Sequence, residues 1–189
     1  MQEWKYNRII VKKIEQELDE LGIEHWNSHP ESGWVSENYA NDSKDLTLRV
    51  KRINTKYKEV KEKGKKAIML SIHVNAAGNG GWYNATGWSA WTTKGQNNSD
   101  KLADCLYDAA EEVLTPLGKK IRKDLTDGDR DYEANFYVIK HSDCISVLTE
   151  NFFMDNKEDM TWFLSAEGMN SITKLHIEGI KKYIDKYIQ

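Results

Sequence analysis

The apolar positions of the chain repeat with two periods. From Gln2 to Leu21, Tyr6, Ile9, Ile10, Ile14, Leu18 and Leu21 recur at threes and fours, and Gly22 follows where a helix would stop; the spacing predicts a helix with one face to a core. The same period returns through Leu48, Ile53 and Val60 up to Gly64, with capping residues available in Asp42-Ser43-Lys44-Asp45. It returns again through Leu102, Leu106, Ala109, Val113 and Leu114, capped by Asn98 or Ser99 and closed by Pro116 and Gly118. Two closing helices are predicted over Asp155 to Phe163 and Ala166 to Tyr187, the second facing Ile172, Leu175, Ile177, Ile180 and Ile184 inward, with His176 packed beside that stripe. Between these segments lie short β-branched or aromatic runs that read as strands: Ile23 to Asn27, Ala67 to Val74, Ala85 to Thr92, Asn135 to Ile139 and Cys144 to Phe153. In the run Ala85 to Thr92, Trp88 and Trp91 fall on opposite faces if the backbone is extended. The stretches Ser28 to Lys44, Gly78 to Trp82 and Lys119 to Arg130 are polar or glycine-rich and read as loops.

Strands alternating with helices make an α/β domain, and 189 residues are enough for one such domain over residues 1–189. No repeat, linker or low-complexity segment divides the chain. The 27 basic and 30 acidic residues are well mixed and give a formal charge of -3, so no electrostatic case exists for nucleic acid or an anionic membrane as partner. No apolar run reaches the length of a membrane-spanning helix, and the first residues lack the apolar block of a signal peptide. Cys105 and Cys144 are flanked by apolar residues and lack metal-ligand spacing, which suits reduced core thiols. Seven Trp supply possible platforms for sugar rings, although packing in the core is the commoner use of any one.

Two of the strands end in groups that can do chemistry. Ala67-Ile68-Met69-Leu70-Ser71-Ile72-His73-Val74-Asn75 delivers an imidazole to its C-terminal end, before the glycine-rich turn. Cys144-Ile145-Ser146-Val147-Leu148-Thr149-Glu150 delivers a carboxylate to its own, followed by Phe152 and Phe153. Parallel neighbours in an α/β sheet bring such ends to one rim, where these folds keep their sites. A histidine alone is more often a hydrogen-bonded residue than a ligand, so it is the pair that carries weight. His141 reads as a loop residue, and His29, beside Pro30 in a loop, lacks the rigid support a metal ligand needs. Gly78 to Gly81 has no Lys-Ser/Thr after it and is no phosphate loop.

With these residues in place the chain resembles the zinc-dependent N-acetylmuramoyl-L-alanine amidases of type 3, which cut the amide between muramic acid and the peptide stem of peptidoglycan. Ser71, His73, Asn75 and Ala76 match that family's Ser-x-His-x-Asn-Ala run; Glu150 and Phe153 match its Glu-x-x-Phe, with Asn156 following. Asp45-Leu46-Thr47-Leu48-Arg49-Val50 looks like its Leu-x-x-Arg helix entry, and Ile177-Glu178-Gly179-Ile180 like its closing helix. The resemblance implies a single three-layer domain whose mixed, mostly parallel sheet has helices on both faces. It implies zinc as cofactor with Glu3 and His73 as metal ligands, Glu150 as general base and then acid, and peptidoglycan as substrate. Asn75, Trp88 and Trp91 are the candidate substrate-binding residues.

One departure stands out. The family opens on a strand ending Asp-x-Gly-His-Gly-Gly, whose His is the first zinc ligand; Glu3 can be matched to the Glu that follows it, but that strand has no counterpart here. The expectation is therefore a domain incomplete at its N-terminus, acting on the cell wall outside the membrane as a monomer, either released in the manner of a phage endolysin or as part of a longer autolysin-like hydrolase. The alternative expectation is a catalytically inactive relative that binds muropeptide or a protein partner. A zinc exopeptidase is disfavoured by the lack of a second Asp and His cluster.

Overall fold

In the computed structural model the described residues are 3–29 and 42–188. The first helix, α1 (Glu3–Glu20), buries Ile10, Ile14 and Leu18 and ends at Gly22, whose φ of 68° admits the left-handed turn in which Ile23 N–H donates to Leu18 O at 2.9 Å. Ile9 and Leu21, expected on the inner face, are 44% and 47% exposed. Helix α2 (Asp42–Glu62) then leads to strand β1 (Ile68–Asn75). Strand β2 (Ser89–Thr92) is shorter than expected, because the chain before it turns at Gly87 with φ of 114° and Trp88 makes only an isolated bridge to Ile121.

Helix α3 (Asn98–Leu114) is capped one residue earlier than the sequence suggests. Asn97 accepts from Ser99 N–H at 2.8 Å while Asp100 accepts from Asn97 N–H at 2.5 Å, a reciprocal cap that satisfies two otherwise orphaned donors. A short 3-10 turn (Thr115–Leu117) closes it at Gly118. Strand β3 (Tyr132–Glu133), helical turn α4 (Tyr137–Lys140), strand β4 (Ile145–Phe153), α5 (Lys157–Phe163) and α6 (Ala166–Tyr187) complete the order.

Two expected strands fail to form. Asn135 to Ile139 leaves the sheet after Ala134 N–H donates to Thr92 O, and its Val138 and Ile139 are buried through a helical turn against α2 instead. Ile23 to Asn27 is irregular, because no neighbouring strand among the described residues takes up its peptide groups. The expectations placed on Pro30, Gly33 and Trp34 fall outside the described residues, as do those on the side chains of Asp42, Ser43 and Lys44 as caps, although their backbone is already helical in α2.

The four strands form one mixed sheet in the order β1-β4-β2-β3. The pairs β1/β4 and β2/β3 are parallel and β2/β4 is antiparallel. Alternation along β4 divides the core. Val147 joins the larger cluster built with α1, α3 and α6, whereas Leu148 joins a smaller one with Val50 and Ile53 of α2 and with α4. Helices thus cover both faces. Strand β1 has β4 on one side and, among the described residues, no strand on the other.

Candidate active site

Register brings the predicted rim together. His73 and Glu150 are direct Cα partners across β1 and β4, at the C-terminal ends of parallel strands. Their side chains therefore leave the same face of the sheet, the one shared with Leu148 and α2. Glu3, in the first turn of α1, reaches across to the same point: its Oε1 lies 2.8 Å from His73 Nδ1 and accepts from Val74 N–H at 3.2 Å and from Asn7 Nδ2 at 3.1 Å. Burial would raise the Glu3 carboxyl, but the hydrogen bond and charge of His73 and the bonds from Asn7 and Val74 hold it below the usual carboxylate range. Glu3 and His73 each keep 32% of their side-chain surface exposed, so the pair faces outward.

Glu150 behaves in the opposite way. Burial, with the nearby charge of Glu3 adding to it, pushes its carboxyl up to about 7 against the opposing pull of His73 and Arg122. Its Oε2 is buried without a hydrogen-bond partner among the described residues. A carboxyl group poised near neutrality with one free oxygen, beside an imidazole and a second carboxylate, is equipped to take up and return a proton.

The strand end that carries it is bent. Phe152 has φ of 67°, a left-handed conformation that costs a bulky residue energy, and the β1/β4 register slips there so that Asn75 pairs with Phe153. The ring of Phe152 compensates by full burial against Trp162, with centroids 5.0 Å apart. Asn75 sits at the rim, its Oδ1 turned back to accept from Ala76 N–H at 2.8 Å.

The two tryptophans lie on opposite faces, with different consequences. Trp91 shares the Glu150 face, half-buried between Tyr132 and Phe136. Trp88 is wholly buried, edge-on to Tyr107, and donates from Nε1 to Asn151 Oδ1 at 3.0 Å. It cannot touch substrate, which corrects the expectation for that residue: the period that put it opposite Trp91 pointed it into the larger core.

Comparison with known proteins agrees with this geometry. Residues 1–182 match the family model described as N-acetylmuramoyl-L-alanine amidase. The chain belongs to that family. It is 22% identical over 147 residues to the endolysin of Bacillus phage SPP1, covering 75% of this chain and 51% of that protein. It is 31% identical over 115 residues to the N-acetylmuramoyl-L-alanine amidase CwlM of Bacillus licheniformis, covering 60% of this chain and 39% of that one. The chain thus spans about half the length, or less, of these curated relatives. The fold is that of an N-acetylmuramoyl-L-alanine amidase from Clostridium difficile 630, with a TM-score of 0.73 at 21% identity over 99% of this chain and 86% of the other.

Within this amidase-family site several residues escape a reading of the sequence. Asn151 is fully buried and donates to His73 O at 2.9 Å, so it fixes the backbone of the imidazole-bearing residue; Trp88 in turn holds Asn151. Thr149 accepts from Asn151 Nδ2 at 3.3 Å and meets His176 Nε2 at 2.9 Å. Asp155 Oδ2 accepts from Ala77 and Gly78 N–H at 2.7 and 3.0 Å and ties the glycine-rich turn after β1 to the end of β4. These are ordinary polar residues in the sequence, and only the pairing of strands gives them a role. The one signal available was the unusual run of polar residues, Thr149, Glu150 and Asn151, inside an otherwise apolar strand.

As a metal site the arrangement fits in part. His73 Nδ1 and Glu3 Oε1 are the nitrogen and oxygen donors zinc takes, side by side and on rigid supports. Among the described residues, however, no group of three His, Cys, Asp or Glu side chains is placed to hold a metal ion.

Proposed function

We propose that this domain, as a single catalytic unit, hydrolyses the amide between N-acetylmuramic acid and L-alanine in peptidoglycan. The observation that carries the reading is the meeting of Glu3 and His73, from elements 70 residues apart, beside Glu150, whose Oε2 is buried with no hydrogen-bond partner among the described residues. Family membership supports it.

In this reading Glu3 and His73 would hold zinc. Zinc there would supply a Lewis acid for the amide carbonyl and would lower the pKa of bound water toward neutrality. Glu150 receives a proton from the attacking water and returns it to the departing alanine nitrogen, which answers the poor leaving group. Asn75, at the rim, and Trp91, deeper on the Glu150 face, are in this reading the residues that contact substrate. Peptidoglycan lies outside the membrane, so the reaction does too; among the described residues no helix is long and apolar enough to cross a membrane. In this reading the domain acts as a monomer.

The test is a zinc titration followed by calorimetry, together with the release of new alanine amino termini from purified cell wall. Zinc uptake with release that a chelator abolishes is the expected result. A chain that is folded by circular dichroism, takes up no zinc and releases no peptide would instead be an inactive relative that binds muropeptide or a partner.

A further inference from the structure

The face that carries Glu150 also carries a cation that the proton-transfer scheme leaves unused. Arg122 is anchored by its backbone, with N–H donating to Trp88 O at 2.8 Å and O accepting from Tyr107 Oη at 3.0 Å. Trp88 precedes Ser89, and Ser89 is the Cα partner of Glu150, so Arg122 starts one strand away from the proposed base. Its stem runs over Gly87, where a Cβ would come within 3.0 Å of Arg122 Cγ and of Lys120 O and where φ is 114°; only glycine leaves this path open. The guanidinium then rests 5.2 Å from the ring centroids of both Tyr132 and Phe153. Phe153 is the residue that pairs with Asn75 at the rim.

Two aromatic rings hold the group in place, yet among the described residues no carboxylate lies within ion-pairing distance and no acceptor takes its N–H groups. Other arginines on the same chain are paired: Arg130 engages Asp104, Asp108 and Glu111, and Arg49 engages Asp45. A guanidinium fixed by packing but left without an acceptor is ordered in advance for an anion from outside, and its forked donors match a carboxylate.

We infer that Arg122 is a specificity-determining residue that binds a carboxylate on the residue following L-alanine in the peptide stem. The assignment rests on the amidase reading, because it takes the scissile amide to lie at Glu150. It makes the domain selective for stems in which that residue keeps a free carboxylate over stems in which it is amidated.

The probes are N-acetylmuramoyl-L-alanyl-D-glutamate and its diamide, titrated into zinc-supplied protein carrying Glu150→Gln so that binding is read without turnover. The acid should bind about 10- to 100-fold more tightly than the diamide, as expected for a charged, forked hydrogen bond. Adding Arg122→Gln should bring the acid down to the level of the diamide and leave the diamide unchanged, and Arg122→Lys, which keeps the charge but not the fork, should fall between. Equal weakening of both probes by Arg122→Gln, or acid and diamide that cannot be told apart in the parent, overturns the assignment. If the unsubstituted protein cleaves purified wall while showing no such preference, only the role of Arg122 falls; if it takes up no zinc and cleaves no wall, the amidase reading falls with it.

Discussion

Two histidines flank β4, and the contrast between them explains the division of labour in the molecule. His176, on α6, meets Thr149; His73, on β1, stands beside Glu150. Thr149 and Glu150 are consecutive, so the strand sends one to each face of the sheet. His176 is fully buried. Its Nδ1 lies 2.7 Å from Ile172 O, which can only accept, so Nδ1 bears the proton and Nε2 accepts from Thr149 Oγ1. Burial lowers its pKa to about 4 and it stays neutral, a satisfied structural residue. His73 is a third exposed, faces two carboxylates and has its backbone clamped by Asn151. Equal side chains one strand apart thus differ because one faces a closed core and the other an open rim.

Substituting each side of the sheet separately tests this contrast. Glu150→Gln keeps the shape and removes the proton acceptor. Release of amino termini from purified wall should fall about 10²- to 10⁴-fold, with no loss of thermal stability, since no hydrogen bond among the described residues involves its Oε2. A stability loss as large as the activity loss would break the contrast.

The opposite face should respond in the opposite way. His176→Ala opens a cavity and strips the partner from Thr149, at a cost on the order of 2–4 kcal/mol in denaturant unfolding, while activity per folded molecule is kept.

A third substitution works far from both. Asp131 is 1% exposed and its Oδ2 accepts from Thr92 Oγ1 at 2.6 Å; burial, together with the charges of Asp129 and Asp100, pushes its carboxyl up to about 7. A carboxyl whose folded pKa lies above the unfolded value binds its proton more tightly when folded. Stability therefore falls as pH rises from near 4 to near 7, and the penalty is complete above that. Asp131→Asn should remove the slope and gain on the order of 2–3 kcal/mol at pH 8 but little at pH 4, measured by urea unfolding at both.

The smallest effect sharpens the first comparison. Thr149→Val deletes the hydroxyl shared by His176 and Asn151 and should cost about 1–2 kcal/mol, and paired with His176→Phe it should cost less than the sum of the two changes taken singly.

Much of the fold was legible because burial imposes a period. Helix α6 has the bounds its spacing predicts, Ala166–Tyr187, and the opposite faces of Trp88 and Trp91 follow from extended backbone alone. Ile23 to Asn27 and Asn135 to Ile139 misled for one reason: strand formation needs a neighbour to take the peptide groups, and composition does not report whether one is there. At the site the residue types His73, Glu150 and Glu3 could be picked out, whereas Asn151, Asp155 and Arg122 could not, because nothing in a buried amide, a turn aspartate or one arginine among charged neighbours marks it in sequence.

The amino-acid order by itself determined the α/β class, the helices other than α4, and the family to which the domain belongs, since each rests on local spacing or short motifs that survive without knowledge of contacts. Tertiary structure decided which strands are neighbours, and with that every distance at the rim: that an acid in the first turn of α1 meets an imidazole 70 positions later, that Glu150 is buried enough to hold its proton near neutrality, and that Trp88 is lost to the core. The physical reason is that proximity and desolvation are properties of pairs of distant segments, and a carboxylate carries neither until packing excludes water from around it.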